Sequence, residues 1–225
     1  MSATSIYLNL ARVQVRAARA DETARCEQEL AAHHYLPDAQ VAGDRGWQIA
    51  ECDGQWVAVL LWCAAAKRLK ARETWIGWDP RTRAERLKLV VQQARFCLLH
   101  TQPNLASRVL GEAIRHLPDW WHQLHGYTPL LAETFVDPQR FEGTCYRAAG
   151  WEEAGATAGH RRAGRDYYEP GAGLKSVWLK PLRPDAAVLL RGPLATLPPE
   201  CRAAQPVAAM GVLPVKLAQA ESLFA

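Results

Sequence analysis

Glu133 is the first residue in this chain whose type and place suggest chemistry. It stands in the middle of Pro129 to Val136, a stretch whose composition predicts a strand ended by Asp137-Pro138. Alternation puts Leu131, Glu133 and Phe135 on one face and Ala132, Thr134 and Val136 on the other, so Glu133 is expected to be buried on either. A buried carboxylate is costly unless it is paired, hydrogen-bonded or protonated. Two readings follow: a general base or a ligand for metal or substrate, or a structural ion pair with an arginine such as Arg95. Asp137 sits at the carboxyl end of the same strand, where α/β sheets place ligand-contacting groups.

Other reactive side chains are less organised. His116, His122 and His125 lie close together, and His122 and His125 have the spacing of two imidazoles on one helical turn. Pro118 interrupts that pattern and no carboxylate or cysteine completes it, so no metal site is expected. His33 and His34 read as a helix terminus. The six cysteines, at 26, 52, 63, 97, 145 and 201, have neither the density of a disulfide scaffold nor Cys-x-x-Cys spacing. Gly-x-x-x-x-Gly-Lys-Ser/Thr, Gly-x-Gly-x-x-Gly after a strand and Gly-x-Ser-x-Gly are all absent, which sets aside ATPase, Rossmann and α/β-hydrolase readings.

Charge is distributed unevenly. Lys67, Arg68, Lys70, Arg72, Arg81, Arg83, Arg86 and Lys88 stand against Glu73, Asp79 and Glu85, so residues 67–88 carry +5 of a net +4 and the rest of the chain sums to −1. Trp75 and Trp78 fall inside that stretch. Basic residues with interleaved aromatics suit a nucleic-acid surface, because phosphates take the charge and bases can stack. A solvated face around two core tryptophans is the other reading. His160-Arg161-Arg162 and Arg165 form a smaller basic cluster in a Gly-rich segment, read as an exposed loop.

These residues need elements to hold them. Asp21 to Ala32 predicts a helix with Asp21 as a cap, ended at Pro37. Trp47–Cys52 and Gln55–Trp62, joined by Asp53-Gly54, predict a hairpin. Thr74–Trp78 predicts a short strand, and Asp79-Pro80 a turn that starts a helix at Arg81. Ala94–Leu99 predicts a strand, Leu105–Leu117 a helix capped by Asn104, Gly143–Glu153 a helix with Gly155 past its end, and Ser176–Lys180 a last strand. The order predicts an α/β (mixed α+β) fold, a central mixed sheet flanked by helices. Residues 1–182 are expected to form the domain and the Pro- and Ala-rich residues 183–225 a loosely held tail.

Composition bounds the rest. With 225 residues, 49% hydrophobic and 22% charged, the chain can bury one sizeable core. Its longest apolar run, Trp56 to Ala66, is well short of the about 20 residues of a membrane span. No basic start followed by an apolar stretch is visible, and the expected location is the cytoplasm, with no membrane partner.

Arg72-Glu-Thr-Trp-Ile-Gly-Trp78, Asn104-Leu-Ala-Ser107, Leu131-Ala-Glu-Thr-Phe-Val-Asp137 and Gly143-Thr-Cys-Tyr-Arg-Ala-Ala-Gly-Trp151 resemble the DruA family, over roughly Ala32 to Leu182. That family is named after a component of the Druantia anti-phage system, and members also occur beside or fused to transposases. The run from strand Arg95–Leu99 through the helix at Asn104 and strand Leu130–Val136 to Tyr146-Arg-Ala-Ala-Gly-Trp151 is also similar to the second half of a GNAT acyltransferase. That resemblance implies a GNAT-like fold, Tyr146 as general acid and Glu133 as base toward an amine. It implies acyl-coenzyme A as cofactor, held near Asn104, Ala106 and Ser107 at the start of a helix. From Gln102, however, the chain has Leu105 where the phosphate loop of GNAT enzymes has its first glycine, which speaks against close backbone approach.

The function expected is that of a DruA-family protein tied to defence or mobile elements, acting on or beside DNA without conventional acyl transfer. The alternatives are an acyltransferase with an altered cofactor site, and a non-catalytic module recruiting a helicase, nuclease or transposase encoded nearby. In the last, partly exposed tryptophans would be the contacts.

Overall fold

Asp53 and Gly54 both adopt positive φ, 52° and 79°, the conformation a two-residue hairpin turn requires. They join β2 (Arg45–Cys52) to β3 (Gln55–Ala64) in the computed structural model, which describes residues 7–162, 168–170 and 173–202. Around this hairpin a seven-stranded sheet forms with β1 (Gln14–Ala17), β4 (Val90–Leu98), β5 (Leu131–Val136), β6 (Glu152–Ala156) and, after a separate two-stranded ribbon of β7 (His160–Arg162) and β8 (Tyr168–Pro170), β9 (Ser176–Pro181). Its order is β1-β2-β3-β4-β5-β9-β6. Every neighbouring pair is antiparallel except β4 and β5, which are parallel and joined through a long helix, α4 (Leu105–His125). The sheet is mixed, as the sequence predicts.

The helices form where apolar side chains recur at helical spacing. In α4, Leu105, Val109, Leu110, Ala113, Leu117 and Trp121 are buried on one face. The sheet is tied to it by a relay: Trp62 Nε1 donates to Gln48 Oε1 at 2.9 Å and Gln48 Nε2 to the Ala113 carbonyl at 3.3 Å. The helix runs eight residues past its expected end at Leu117. Pro118 removes one backbone donor without ending it, and Gly126, at φ 77°, supplies the left-handed stop. Asn104 adopts φ 65° and makes no side-chain cap, so the capping expected of it is not seen. Nor does Asp21 cap α1 (Thr23–His33); Glu22 does the local work, accepting from the Arg19 amide at 2.8 Å.

Two expected elements are corrected. Thr74–Trp78 is not a strand: Lys70–Ile76 forms α2, burying Arg72 and Ile76 four residues apart, and Gly77 closes it at φ 73°. Asp79 and Pro80 then start α3 (Pro80–Arg86) as expected, Asp79 accepting from the Arg81 and Thr82 amides. The helix expected over Gly143–Glu153 is only α5 (Thr144–Ala148), because Gly150 at φ 74° stops it five residues before Gly155. Trp151 is buried beyond that stop, and Gly155 lies instead at a register shift within β6.

Residues 183–202 are not loosely held. They form α6 (Ala186–Arg191) and two short 3-10 turns, and they bury Leu190, Leu197 and Cys201. Arg86 donates to the Leu189 and Gly192 carbonyls at 2.9 and 3.1 Å, and the Thr128 amide donates to the Glu200 carbonyl. The remainder of the expected tail, residues 203–225, lies outside the described residues.

Candidate functional site

Strands β4 and β5 pair only from Val90 and Leu131 to Gln93 and Thr134. Past that point β4 carries a bulge: Leu61 of β3 faces Arg95 and Trp62 faces Gln93, which leaves Ala94 unpaired. A bulge bends its strand, and here the two carboxyl-terminal ends separate. The separation opens a cavity of about 480 Å³, within the ordinary range of small-ligand sites. Because the opening lies within the sheet, elements from several directions line it. His34 and Tyr35 follow α1, Ala106 begins α4, Phe141 follows β5, and Cys145 and Tyr146 come from α5.

Tyr146 forms the polar floor. Its hydroxyl donates to Gln93 Oε1 at 2.7 Å, while Thr134 Oγ1 donates to the Gln93 carbonyl at 3.0 Å. Burial drives the phenol well above its ordinary range, so the hydroxyl keeps its proton. Gly143 lets α5 approach closely: it sits at φ 71°, and a Cβ there would run into the Trp178 indole. Gln93 is buried, and its Nε2 has no hydrogen-bond partner among the described residues. At the mouth, His34 and Tyr35 stack with centroids 4.6 Å apart, Phe141 tilts toward Tyr35 at 5.6 Å, and the Arg140 guanidinium lies 5.0 Å from the Tyr35 ring. Burial lowers the His34 imidazole below its ordinary value, Arg95 adding to the effect and the Leu36 carbonyl opposing it.

Glu133 is not in this cleft. Alternation turns it to the other face from Thr134, where both it and Arg72 are fully buried. Arg72 donates to its two oxygens at 3.1 and 2.8 Å and to the Ala66 carbonyl at 2.9 Å, and the Ala66 amide adds a bond at 3.2 Å. Burial raises the carboxyl, with Arg72 and the Ala66 amide pulling it back. The ion pair is real but its arginine is Arg72; Arg95 instead donates to the Asp38 and Ala94 carbonyls. Asp137 closes the turn after β5, accepting from the Gln139 amide and pairing with Arg140 at 3.6 Å. Of the three candidate catalytic residues only Tyr146 lines the cleft.

The basic stretch divides. Arg72 and Arg86 are buried against Glu133 and against backbone carbonyls, so neither can meet a phosphate. Arg83 is half-buried on Glu73 at 3.1 Å. Lys67, Arg68, Lys70, Arg81 and Lys88 are exposed. Lys67 and Lys88, with Arg95, line a second cavity of about 590 Å³ that shares Ala94 and Arg95 with the first. Trp75 and Trp78 are half-buried and packed on the core, Trp75 donating to Glu152 at 3.1 Å. None of the nine tryptophans is exposed; five are buried. Of the second basic cluster, Arg161 and Arg162 lie in β7 and Arg165 is outside the described residues.

The start of α4 does not fit the diphosphate of coenzyme A. Gln102 is spent on the backbone of Leu8, accepting from its amide at 2.7 Å and donating to its carbonyl at 3.0 Å, and Arg108 holds the Leu10 carbonyl at 3.1 Å. The amino-terminal segment therefore lies along the turn whose amides would have to face the phosphates. Leu105 is buried in the core, Asn104 makes no side-chain cap, and Ser107 bonds back to the Asn104 carbonyl, so of the three candidates only Ala106 reaches the cleft.

A family model described as Druantia protein DruA matches residues 2–167. Among solved structures, aminoglycoside acetyltransferase AAC(6')-Ib, in complex with ribostamycin and coenzyme A, is 13% identical, covering 80% of this chain and 98% of its own, with a TM-score of 0.50. The ribosomal-protein-S18-alanine N-acetyltransferase from Escherichia coli is 11% identical over 76% of this chain and 94% of its own, with a TM-score of 0.44. The fold is GNAT-like. No curated protein matches the sequence.

Proposed function

The chain belongs to the Druantia protein DruA family, and on that premise we propose that it is a nucleic-acid-binding component of a defence or mobile-element system, working on DNA without conventional acyl transfer. One observation carries the reading: the cavity lined by Lys67, Lys88 and Arg95 shares a wall with the cleft whose mouth holds Tyr35 and Phe141. Positive charge that can follow a phosphate backbone therefore adjoins aromatic faces that can take bases, the combination on which single-strand binding rests. The aromatics differ from those the sequence suggested, since Trp75 and Trp78 serve the core.

Acyl transfer is supported only by the parted strands and Tyr146. It is opposed by Glu133, which is tied up by Arg72, and by the Gln102–Leu8 clamp at the helix start. The reading as a recruiting module lacks an exposed tryptophan patch to support it.

Anisotropy of labelled oligonucleotides with wild type and Lys67→Glu/Lys88→Glu tests the proposal. Expected is at least about a tenfold loss of affinity in the variant at low salt, and a shallower salt dependence because fewer counterions are released. Unchanged affinity would remove these two lysines, and the groove with them, from the binding surface.

A further inference from the structure

We infer that the cleft between β4 and β5 receives a single base of a single-stranded nucleic acid, stacked at the Tyr35–Phe141 mouth and hydrogen-bonded by the Gln93 amide. The inference deepens the reading just given and rests on it. Gln93 is 2% exposed, yet its Nε2 finds no partner among the described residues although the side chain lines the cavity. A buried amide donor without an acceptor is costly, and a ligand acceptor would relieve it. The Tyr146 hydroxyl donates to Oε1 at 2.7 Å, which leaves the N–H group as the free function. Every nucleobase carries a carbonyl oxygen or ring nitrogen that can meet such a donor, so the contact suits a base without choosing among the four.

The mouth supplies what the floor lacks. Phe141 is 51% exposed, a large apolar ring left uncovered among the described residues beside the Tyr35 ring. Tyr35 already stacks on His34 and carries Arg140 near its face. A flat heteroaromatic ring placed there would cover the apolar surface of Phe141. The phosphates on either side of that base would lie near Arg95 and, in the adjoining cavity, Lys67 and Lys88. A base within a duplex cannot reach a recessed donor of this kind, so the strand must be single or locally opened.

The test compares two twelve-residue labelled strands, one of thymidine and one with the same phosphates but no bases, by anisotropy at low salt. The full chain is used as wild type, Phe141→Ala, Gln93→Leu and Lys88→Ala. Wild type is expected to bind the thymidine strand about tenfold tighter than the abasic one, the worth of one stacked base. Phe141→Ala and Gln93→Leu should bring the thymidine strand down to the abasic value and leave the abasic strand unchanged, whereas Lys88→Ala weakens both alike. Because Gln93 is buried and Phe141 is not, Phe141→Ala keeps the test decisive if Gln93→Leu does not fold. Equal binding of both strands by wild type would overturn the base pocket while leaving phosphate binding intact. Discrimination that survives in Phe141→Ala and in folded Gln93→Leu would also overturn it, and failure of both strands to bind would remove the nucleic-acid reading together with the pocket.

Discussion

Arg72 and Glu133 are both fully buried, so neither can lose its partner cheaply. Replacing either by Ala leaves an uncompensated buried charge, a change expected to cost about 3–5 kcal/mol in urea unfolding. The double variant Arg72→Met/Glu133→Leu should recover most of that loss, because two apolar side chains remove both desolvation penalties together. A second expectation for a single side chain concerns pH. The His34 imidazole is lowered by burial, so the folded state binds its proton less readily than the unfolded chain. Its contribution to stability is complete above the ordinary imidazole value of about 6.5 and is lost as pH falls below it. The midpoint temperature should therefore drop between pH 7.5 and 5.5 by less in His34→Gln than in wild type, and equal drops would refute the assignment. Alternation alone made the burial of Glu133 legible. Its partner was not, because reading 74–78 as extended hid the helical turn that points Arg72 inward. Gln93 gave less warning still, since a glutamine in a strand ordinarily reads as solvent-facing; its pairing with Tyr146 joins residues 53 apart in sequence.

Among the helices, two glycines with the same conformation separate strain from space. Gly77 ends α2 at φ 73°, and a Cβ there would meet nothing within 4 Å, so Gly77→Ala faces backbone strain alone, about 1–2 kcal/mol. Gly143 opens α5 at φ 71° beneath the Trp178 ring, so Gly143→Ala adds a collision to the same strain and should cost clearly more. Chemical denaturation of the two variants checks the order; equal losses would mean that the Trp178 indole yields freely. The hairpin, α3 and β9 could be read because short-range chemistry fixes them: a turn dipeptide, a capped Pro at the helix start, a short apolar run before Pro181. The extents of α4 and α5 could not, because Pro118 and Gly155 are the conspicuous residues while Gly126 and Gly150 supply the stops. The bulge at Ala94 that opens the cleft has no local signature, since it depends on which β3 residues face β4.

In the molecule as a whole, the chain beyond 182 belongs to the domain as far as it is described. Truncation after Leu182 removes the carbonyls of Leu189 and Gly192 from the buried Arg86 guanidinium. It also removes the buried Leu190, Leu197 and Cys201. The cost is expected to be at least about 3 kcal/mol, roughly 6–12 °C or more in Tm for a chain of this size. Truncation after Arg202 keeps all of these contacts, so the pair of truncations isolates the effect of residues 183–202. Composition misread this segment because proline and alanine say little about what a short helix such as α6 can bury against α2 and α3. The order of elements, by contrast, carried the mixed sheet, and the run from strand Arg95–Leu99 to Tyr146-Arg-Ala-Ala-Gly-Trp151 carried the GNAT-like fold, which the AAC(6')-Ib structure supports; the family strings carried the family, which the matched model supports.

Everything proposed for this protein turns on whether the charged groove across β4 holds a nucleic-acid backbone. The affinity of the wild-type protein for single-stranded DNA across a salt series decides it. Three cations line or border the groove, Lys67, Lys88 and Arg95, so the logarithm of the association constant should fall linearly with the logarithm of salt with a slope of about −2, near −0.7 for each phosphate neutralised. No binding at low salt, or binding indifferent to salt, would refute the groove's role and return the exposed Lys67, Arg68, Lys70, Arg81 and Lys88 to that of a solvated surface.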